Sequence, residues 1–281
     1  LQQRRFGAQP IIVANANSAD YGATGDDLTT SYLVQLYAAG LARRVVQAPG
    51  QASRSLCFAG DTFFGRHVQT WLARPRVRAR LLAAWRDRLR DCPLVVNLEG
   101  VIATHGSEGR GPRDVPQLPM PLKQTLQWLR DLNVVAVGLA NNHTLDLGEA
   151  AYAQMVRTLR EAGIEVLEHG QAHDVAGVRI VAMRDLDNPP RARGPLIGDA
   201  EIASVQALAT DRRAPVVALM HWGREFDAKP GPRESDLAER LHEAGAGWIV
   251  GAHPHRASAG PLLLRGGRAL VVHSLGNFVF G

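Results

Sequence analysis

The chain has 281 residues, of which 46% are hydrophobic and 21% charged, a composition typical of folded proteins and not of disordered, collagen-like or coiled-coil chains. A chain of this length buries enough surface to fold without a disulfide or a structural metal, as one large domain or two modest ones. Its formal net charge of +5 is small for the length, so the charge alone does not indicate nucleic-acid binding.

The N-terminal segment differs in pattern from the rest of the chain. Asp27, followed by Leu33, Leu36 and Leu41, predicts one capped helix, and a polar linker containing glycine follows at 48–55. We therefore interpret 1–54 as an N-terminal appendage or arm that packs on the main domain, with a partner-binding arm as the alternative. The main domain is predicted at 55–281.

From residue 55 onward, short apolar runs alternate with stretches of helical periodicity, which is the pattern of a layered α/β protein. Most of these runs are continuous, as expected for strands that are covered on both faces of a sheet. The predicted strands are Leu56–Ala59, Leu94–Asn97, Val134–Leu139, Val178–Met183, Val216–Met220, Trp248–Gly251 and Leu270–His273.

Apolar residues at helical spacing predict helices between many of these strands. They form four sets: Val77, Leu81, Trp85 and Leu89; Leu122, Leu126 and Leu129; Tyr152, Val156 and Leu159; and Leu237 with Leu241. Gly163 and Gly245 stand where two of these helices would end in a left-handed residue. The arginines between 74 and 90 are interpreted as a solvated helix face, with a phosphate-binding patch as the alternative.

The cysteines and the hydropathy pattern bear on the compartment. Cys57 and Cys92 each adjoin an apolar strand, which is typical of buried inert thiols, so we do not expect a disulfide. No run of about 18 apolar residues is present, and residues 1–20 lack a signal-peptide pattern, so no integral membrane segment is predicted. The default expectation is a cytoplasmic protein, with an anchored or extracellular location left open because the chain begins at Leu1.

Polar side chains capable of binding a metal follow the predicted strands at one edge of the sheets. In open α/β sheets, ligands bind in the crevice beyond the carboxyl ends of the strands, so these positions predict a single site. The residues are Asp61, Glu99, Asn142, His221, His253 and His255. Taken singly, most have an ordinary structural explanation, such as a turn, a helix cap or a satisfied core histidine.

Two of the motifs are more specific than the others. His253 and His255 flank a proline directly after a strand and a glycine, which forms a compact pair of nitrogen donors for a transition metal. Glu99 ends an apolar strand and must be solvated, paired or bound to a metal, with Asn97 as a possible support. His143 is a candidate proton donor, and Asp146 is close enough in the chain to orient its imidazole.

The order of these motifs resembles the CapA family, the poly-γ-glutamate capsule biosynthesis proteins within the calcineurin-like metallophosphoesterase superfamily. The resemblance extends over essentially 55–281. The motifs that carry it are Phe58-Ala-Gly-Asp61 through Gly65-Arg66, Asn97-Leu-Glu99-Gly100, Ala140-Asn-Asn-His143-Thr-Leu-Asp146-Leu-Gly148, His221-Trp-Gly223-Arg-Glu225, Gly251-Ala-His253-Pro-His255 and Ser274-Leu-Gly-Asn277-Phe278.

The resemblance implies a four-layer αββα sandwich with two mixed sheets, as in metallo-dependent phosphatases. It also implies one or two divalent ions, Mn²⁺ first with Fe, Zn or Ca as alternatives, that activate water. One metal would be bound by Asp61, Glu99 and His255, and the other by Glu99, Asn142, His221 and His253. His143 would be the general acid, with Arg66 and Glu225 facing the substrate; an internal ion pair is the alternative for Arg66.

One position departs from the wider superfamily. Phe63 stands where the usual Asp-x-His motif has its histidine, so the first metal has lost one of its usual nitrogen ligands. This substitution leaves a mononuclear and a dinuclear centre both open.

These observations favour hydrolysis of a phosphate ester or anhydride. A metal-dependent peptide-modifying enzyme, acting by epimerisation or on γ-glutamyl or amide bonds, is the first alternative, and a non-catalytic capsule polymer accessory protein is the second. The expected partner is a small anionic, peptide or polyglutamate substrate and not nucleic acid. The sequence does not predict the oligomeric state.

Overall fold

The computed structural model describes residues 11–14, 56–89, 92–103, 117–186, 196–210, 215–227, 229–258, 261–264 and 269–280. Within these residues the chain is an α/β protein with fourteen strands and six helices. The strands are β1 Ile11–Ala14, β2 Leu56–Thr62, β3 Leu94–Leu98, β4 Val101–Ala103, β5 Pro119–Pro121, β6 Val134–Gly138, β7 Glu165–Leu167, β8 Ala172–Val175, β9 Val178–Asp185, β10 Val216–Trp222, β11 Trp248–Ala252, β12 Leu262–Leu263, β13 Leu270–Val272 and β14 Asn277–Val279. The helices are α1 Arg66–Leu72, α2 Pro75–Leu89, α3 Leu122–Asp131, α4 Glu149–Glu161, α5 Asp199–Ala209 and α6 Pro232–Glu243.

Two six-stranded sheets contain most of the strands. The first has the order β1-β2-β3-β6-β7, with β14 also paired to β2, and each of these pairings is parallel. The second has the order β12-β13-β11-β10-β9-β8, parallel at its centre and antiparallel at both edges. Parallel order brings the carboxyl ends of the central strands to one edge of each sheet, where the sequence predicted a site.

Three hydrophobic clusters account for the core. One contains residues of both sheets, including Leu56 and Phe58 from the first and Val217 and Leu219 from the second. Another joins the first sheet to α1, α3 and α4, and the third joins the second sheet to α5 and α6. Each sheet is therefore covered on both faces, which explains why its strands are continuous apolar runs.

The seven strands predicted from apolar runs are confirmed, as are the helices predicted from periodicity. Gly163 and Gly245 follow α4 and α6 with φ of 78° and 105°, the left-handed conformation expected at these helix ends. Arg76, Arg80 and Arg86 in α2, and Arg74 just before it, are exposed, as expected for a solvated face.

One strand lies inside the segment interpreted as an N-terminal appendage. β1 pairs in parallel with β2, with Ile11 opposite Leu56 and Ala14 opposite Ala59, and extends the first sheet. The helix predicted after Asp27 and the linker before residue 56 lie outside the described residues. No helix among the described residues has the length and apolar character that crossing a bilayer requires.

The expectation of two free thiols is wrong, because Cys57 and Cys92 form a disulfide. Cys57 lies on β2 and Cys92 lies just before β3, and their Cα atoms are 6.0 Å apart because these two strands are neighbours. Both side chains are buried in the core between the first sheet and its helices. The sequence places each cysteine beside a strand but does not show that the two strands pair.

The disulfide supplies a first testable prediction. Replacing both cysteines with alanine should lower the free energy of unfolding by about 3 to 4 kcal/mol, because the bond closes a loop with a sequence separation of 35. Urea denaturation with and without reductant measures this difference, and reductant should leave the double variant unchanged. Two reactive thiols in the denatured, unreduced wild type would contradict the prediction.

A buried histidine outside the candidate site predicts a pH dependence of stability. Burial lowers the pKa of His273 below its ordinary value, although the charges of Glu234 and Asp227 oppose this shift. The unfolded chain therefore binds a proton more readily, so the stabilisation is complete above the ordinary value of 6.5 and is lost as pH falls through the folded-state pKa.

We expect His273→Phe, which retains a ring against Trp222, to weaken this dependence. Between about pH 7.5 and about pH 5.5, the free energy of unfolding should fall less in the variant than in the wild type. Urea denaturation at both pH values gives the comparison. An equal or larger fall in the variant would show that His273 does not contribute to the acid sensitivity.

Candidate metal centre

The six predicted ligands converge at the carboxyl edge of both sheets. β2 and β10 extend further than their apolar runs predicted, so Asp61 and His221 lie within these strands. Glu99, Asn142 and the pair of histidines follow β3, β6 and β11. Asp61 pairs in register with Asn97 on one side and Asn277 on the other, so three neighbouring strands hold polar residues at the same level.

Four of the histidine and carboxylate pairs lie at distances suited to a shared cation. His255 Nδ1 lies 3.4 Å from Asp61 Oδ2, and His255 Nε2 lies 3.7 Å from Glu99 Oε1. His221 Nδ1 lies 3.9 Å from Asp61 Oδ1, and His221 Nε2 lies 3.8 Å from Glu99 Oε1. Glu99 is thus close to histidines on both sides.

Two groups of side chains could each hold one metal ion. The first consists of Asp61, Glu99 and His255, and the second of Glu99, His221 and His253; within each group the ligand atoms lie within 4.8 Å of one another. Asn142 Oδ1 lies 2.8 Å from His221 Nε2 and therefore belongs beside the second group. Glu99 is common to both groups.

Several buried atoms at the centre lack hydrogen-bond partners in the described ranges. They are both carboxylate oxygens of Glu99 and both ring nitrogens of His253. Glu99 and His253 are each 0% exposed, so water does not solvate these atoms from the surface. Burying polar groups in this state is costly unless a ligand satisfies them, and carboxylate, imidazole and amide donors suit divalent ions. The donor set therefore fits a metal.

The pKa shifts of the buried side chains at the centre also favour metal binding. Burial, followed by the neighbouring Asp61 carboxylate, raises the pKa of Glu99 well above its usual range. Burial also raises the pKa of Asp61, opposed by His255 and by a 2.7 Å hydrogen bond from Asn97 Nδ2. Burial and the neighbouring histidines lower the pKa of His221 well below normal and that of His253 to about 3. The imidazoles of His221 and His253 are therefore neutral, the form that binds metals.

The backbone around the two histidines is constrained. His253 and His255 have φ of 94° and 56°, values that residues other than glycine rarely adopt. The His253 N–H donates to both oxygens of Asp61, at 3.2 and 3.0 Å, and thereby fixes the loop against β2. Backbone strain of this kind is typical of functional sites in which the surrounding structure determines the conformation.

Gly251, near the end of β11, allows the backbone of this strand to lie close to the backbone of His273. A Cβ atom on Gly251 would lie 1.7 Å from the His273 carbonyl oxygen, whereas one on Gly247 would meet its nearest atom, the Val216 oxygen, at 3.9 Å. We expect Gly251→Ala to lower the free energy of unfolding by about 2 to 3 kcal/mol, because the obstacle is backbone.

Gly247→Ala is the matched control and should change stability by less than about 0.5 kcal/mol. Thermal and urea denaturation of both variants, compared with wild type, measure the contrast. Equal stabilities for the two variants would contradict the close approach at Gly251.

His143 lies at the edge of the centre. Its Nδ1 is 2.8 Å from Asp146 Oδ2, which also accepts a 2.7 Å bond from the Leu118 N–H, and its Nε2 is 4.0 Å from Glu99 Oε1. Its backbone N–H donates to Asn141 Oδ1 at 3.1 Å. One ring nitrogen is therefore held by a carboxylate and the other faces the candidate ligands.

The two residues predicted to face the substrate differ in their exposure and in their contacts. Arg66 is exposed, and it donates to the Gln117 carbonyl at 3.1 Å with its guanidinium 6.0 Å from the centre of the Phe63 ring. Glu225 is partly buried and is close enough for its charge to raise the pKa of Glu99. Phe63, at the position of the usual histidine, is fully buried and packs in the core.

The structure adds two side chains that the sequence did not single out as part of the site. Asn277 Oδ1 lies 2.7 Å from His255 Nδ1, and Arg184 Nη1 donates to the Asn141 carbonyl at 3.2 Å. Asn277 lies in the motif Ser274-Leu-Gly-Asn277-Phe278, for which the sequence alone indicates no role. Arg184 directly follows the predicted strand that ends at Met183, and its position at that end was the available signal.

Comparison with known proteins identifies relatives among capsule proteins. The family model described as "Bacterial capsule synthesis protein PGA_cap" matches residues 55–281. The capsule biosynthesis protein CapA of Bacillus anthracis is 27% identical over 192 residues, covering 56% of this chain and 43% of that protein. The PGA biosynthesis protein CapA of Bacillus subtilis (strain 168) is 29% identical over 179 residues, covering 56% of this chain and 46% of that protein.

The matched part of the chain spans less than half the length of these curated relatives. Among solved structures, a type I 3-dehydroquinate dehydratase from Clostridium difficile aligns with a TM-score of 0.33 and 12% identity, covering 86% of this chain and 74% of that one. A TM-score this low carries no argument about fold or activity.

Proposed function

The chain belongs to the PGA_cap family of bacterial capsule synthesis proteins, and from this premise we propose that it is a metal-dependent hydrolase of the phosphoesterase type. The observation that carries the proposal is the pair of ligand groups that share the buried Glu99, with His143 beside them. A non-catalytic accessory protein would not need an oriented proton donor next to buried, unpartnered ligand atoms.

We also propose a specific architecture for the two sheets and their helices. The three core clusters support a four-layer αββα sandwich of the metallo-dependent phosphatase type, with the candidate site between the carboxyl edges of its two sheets. We assign this domain to 55–281, the range that the family model matches, and interpret 1–54 as an N-terminal arm whose strand β1 extends the first sheet of the domain.

Two metal positions follow from the ligand groups. Asp61, Glu99 and His255 would hold one ion, and Glu99, Asn142, His221 and His253 would hold the other, with Mn²⁺ preferred for the mixed donors. A bound divalent ion would lower the pKa of a coordinated water and withdraw charge from a phosphoryl oxygen. The first position has fewer nitrogen donors because Phe63 replaces the usual histidine, so we expect the second to bind more tightly.

We assign protonation of the leaving group to residues of the chain itself. Asp146 holds Nδ1 of His143, which leaves Nε2 to donate a proton to the departing oxygen of the substrate. Asp146 is fixed in turn by the Leu118 N–H. We propose that the exposed Arg66, and Glu225, whose charge acts on Glu99, contact the more distant parts of the substrate.

The experiment tests for metal-dependent hydrolysis with simple esters and does not require the natural substrate to be known. Full-length protein is depleted of metal with a chelator, reconstituted with Mn²⁺ and assayed for phosphate release from simple phosphate monoesters and diesters. The proposal predicts phosphate release that requires the added metal. Equal release with and without metal, or none from any ester, would contradict it.

A second candidate function is favoured by the names of the relatives. Because they are described as capsule and PGA biosynthesis proteins, the same site could act on amide or γ-glutamyl bonds of a polyglutamate chain, or epimerise a peptide at Cα. Peptide cleavage or deuterium uptake at Cα without phosphate release would support this candidate over the first.

The disulfide modifies the proposal about location. Disulfides persist mainly in oxidising compartments, so the Cys57–Cys92 bond favours a location outside the cytoplasm over the cytoplasmic default.

A further inference from the structure

Arg184 is a buried arginine with unsatisfied donors beside the candidate metal centre. The residue is 6% exposed, and its Nε and Nη2 atoms are buried without a hydrogen-bond partner among the described residues. Nη1 donates a 3.2 Å hydrogen bond to the Asn141 carbonyl. A guanidinium with five N–H groups that is buried in this way lacks the ligand that its geometry suits.

The position of Arg184 ties it to the metal ligands. Arg184 on β9 pairs in register with His221 on β10. Two residues earlier in the same strands, Ala182 and Leu219 pack in the core between the two sheets, so Arg184 and His221 project from that same face. The charge of Arg184 also contributes to the low pKa of His221, which agrees with their proximity.

The acidic residue next to Arg184 in the chain has another partner. Asp185, the next residue, accepts two hydrogen bonds from Arg233, at 2.5 and 2.6 Å. Burial is the cause of the lowered pKa of Arg184, without an opposing carboxylate. Arg78, by contrast, is paired with Asp131. A buried arginine that has no counter-ion within the described part of the chain and lies next to a functional centre is suited to binding an anion from outside.

We infer that Arg184 binds an oxyanion of the substrate, a phosphate or a carboxylate, on the side of the metal centre formed by His221 and Asn142. The inference rests on the proposed function because it places the substrate at that centre. Nη1 donates to the carbonyl of Asn141, which directly precedes Asn142. Nε and Nη2 supply two donors in one plane, an arrangement that can bind two oxygens of a single anion. Substrates lacking an oxyanion next to the reacting bond would bind poorly.

The test measures binding, so it does not depend on turnover. Inorganic phosphate and glutarate are titrated by calorimetry into the full chain, both metal-free and loaded with Mn²⁺, for wild type, Arg184→Met and Arg184→Lys. Arg240→Met, which alters an exposed arginine paired with Asp199, is the control. Elemental analysis and thermal denaturation of each variant establish metal content and folding.

We expect Arg184→Met to bind the preferred anion about 10- to 100-fold more weakly, with metal content and thermal midpoint close to wild type. Arg184→Lys should recover part of the affinity, because it restores the charge without the planar fork. A loss confined to phosphate identifies a phosphate ligand, and a loss confined to glutarate identifies a carboxylate ligand.

Three results would overturn the inference: unchanged affinity for both anions in Arg184→Met, no binding of either anion by the wild type, or loss of metal from both Arg184 variants. The last would assign Arg184 a structural role in holding the Asn141 loop. Arg184-dependent anion binding without ester hydrolysis would refute the proposed function alone, whereas metal-dependent hydrolysis that is insensitive to Arg184 would refute this inference alone.

Discussion

Replacing Glu99 with glutamine is expected to weaken metal binding by more than about 100-fold and to reduce metal-dependent hydrolysis by at least the same factor. Glu99 is the residue that both ligand groups share, and neither of its oxygens has a hydrogen-bond partner in the part of the chain that the structure describes. Glutamine keeps the size of the side chain but removes the charge that offsets a divalent cation. The effect should therefore reach both metal positions and not only one.

Metal affinity is measured by titrating the metal-free proteins, and retained metal by elemental analysis after gel filtration. Glu165→Gln is the matched control, since Glu165 is exposed and pairs with His173 away from the centre. The metal-free Glu99→Gln protein should fold, because an amide costs less to bury than an unpaired carboxylate. Full metal retention by the variant would exclude Glu99 as the shared ligand.

Replacing His143 with glutamine is expected to lower the rate of hydrolysis by about 10²- to 10⁴-fold without removing the metal. The reason is geometric: Nδ1 is held by Asp146 at 2.8 Å, and Nε2 faces the ligands at 4.0 Å from Glu99. Glutamine can donate a hydrogen bond but cannot deliver a proton to a leaving group. The loss should therefore appear in kcat and shrink for substrates whose leaving group needs no protonation.

Asp146→Asn tests the positioning of the same imidazole. Asparagine retains the size of the side chain but changes the acceptor that holds His143 Nδ1, so we expect about a 10- to 100-fold loss and an altered pH profile of kcat. Comparing esters with good and poor leaving groups separates general-acid catalysis from a structural effect. Equal losses for both esters in His143→Gln would argue against a proton-donor role.

Much of the fold follows from local patterns in the sequence. The buried strands β2, β3, β6, β9, β10, β11 and β13 are continuous apolar runs, and α3, α4 and α6 repeat apolar residues at helical spacing, so their existence could be predicted. The short strands β4, β5, β8 and β12 contain between two and four residues, which is too few for a periodic signal. They form because neighbouring strands supply hydrogen bonds.

Most residues of the candidate site could be predicted from the sequence, but the contacts among neighbouring strands and side chains could not. Asp61, Glu99 and His253 stand out because a polar residue after a buried strand requires a physical explanation. Arg184 lies one residue beyond its predicted strand, and nothing local shows that it lacks a counter-ion. The disulfide depends on the pairing of β2 with β3, which is a property of the folded sheet and not of either cysteine's neighbours in the chain.

The most direct test of the central claim is the metal content of the wild-type chain after reconstitution with Mn²⁺, Fe²⁺ or Zn²⁺ in separate samples and removal of unbound ions, measured by elemental mass spectrometry. The account predicts that the chain retains one or two divalent ions, and that substituting the shared Glu99 removes them. A wild-type chain that retains no Mn²⁺, Fe²⁺ or Zn²⁺ would contradict the assignment of this cluster as a metal centre, and with it the proposed hydrolase.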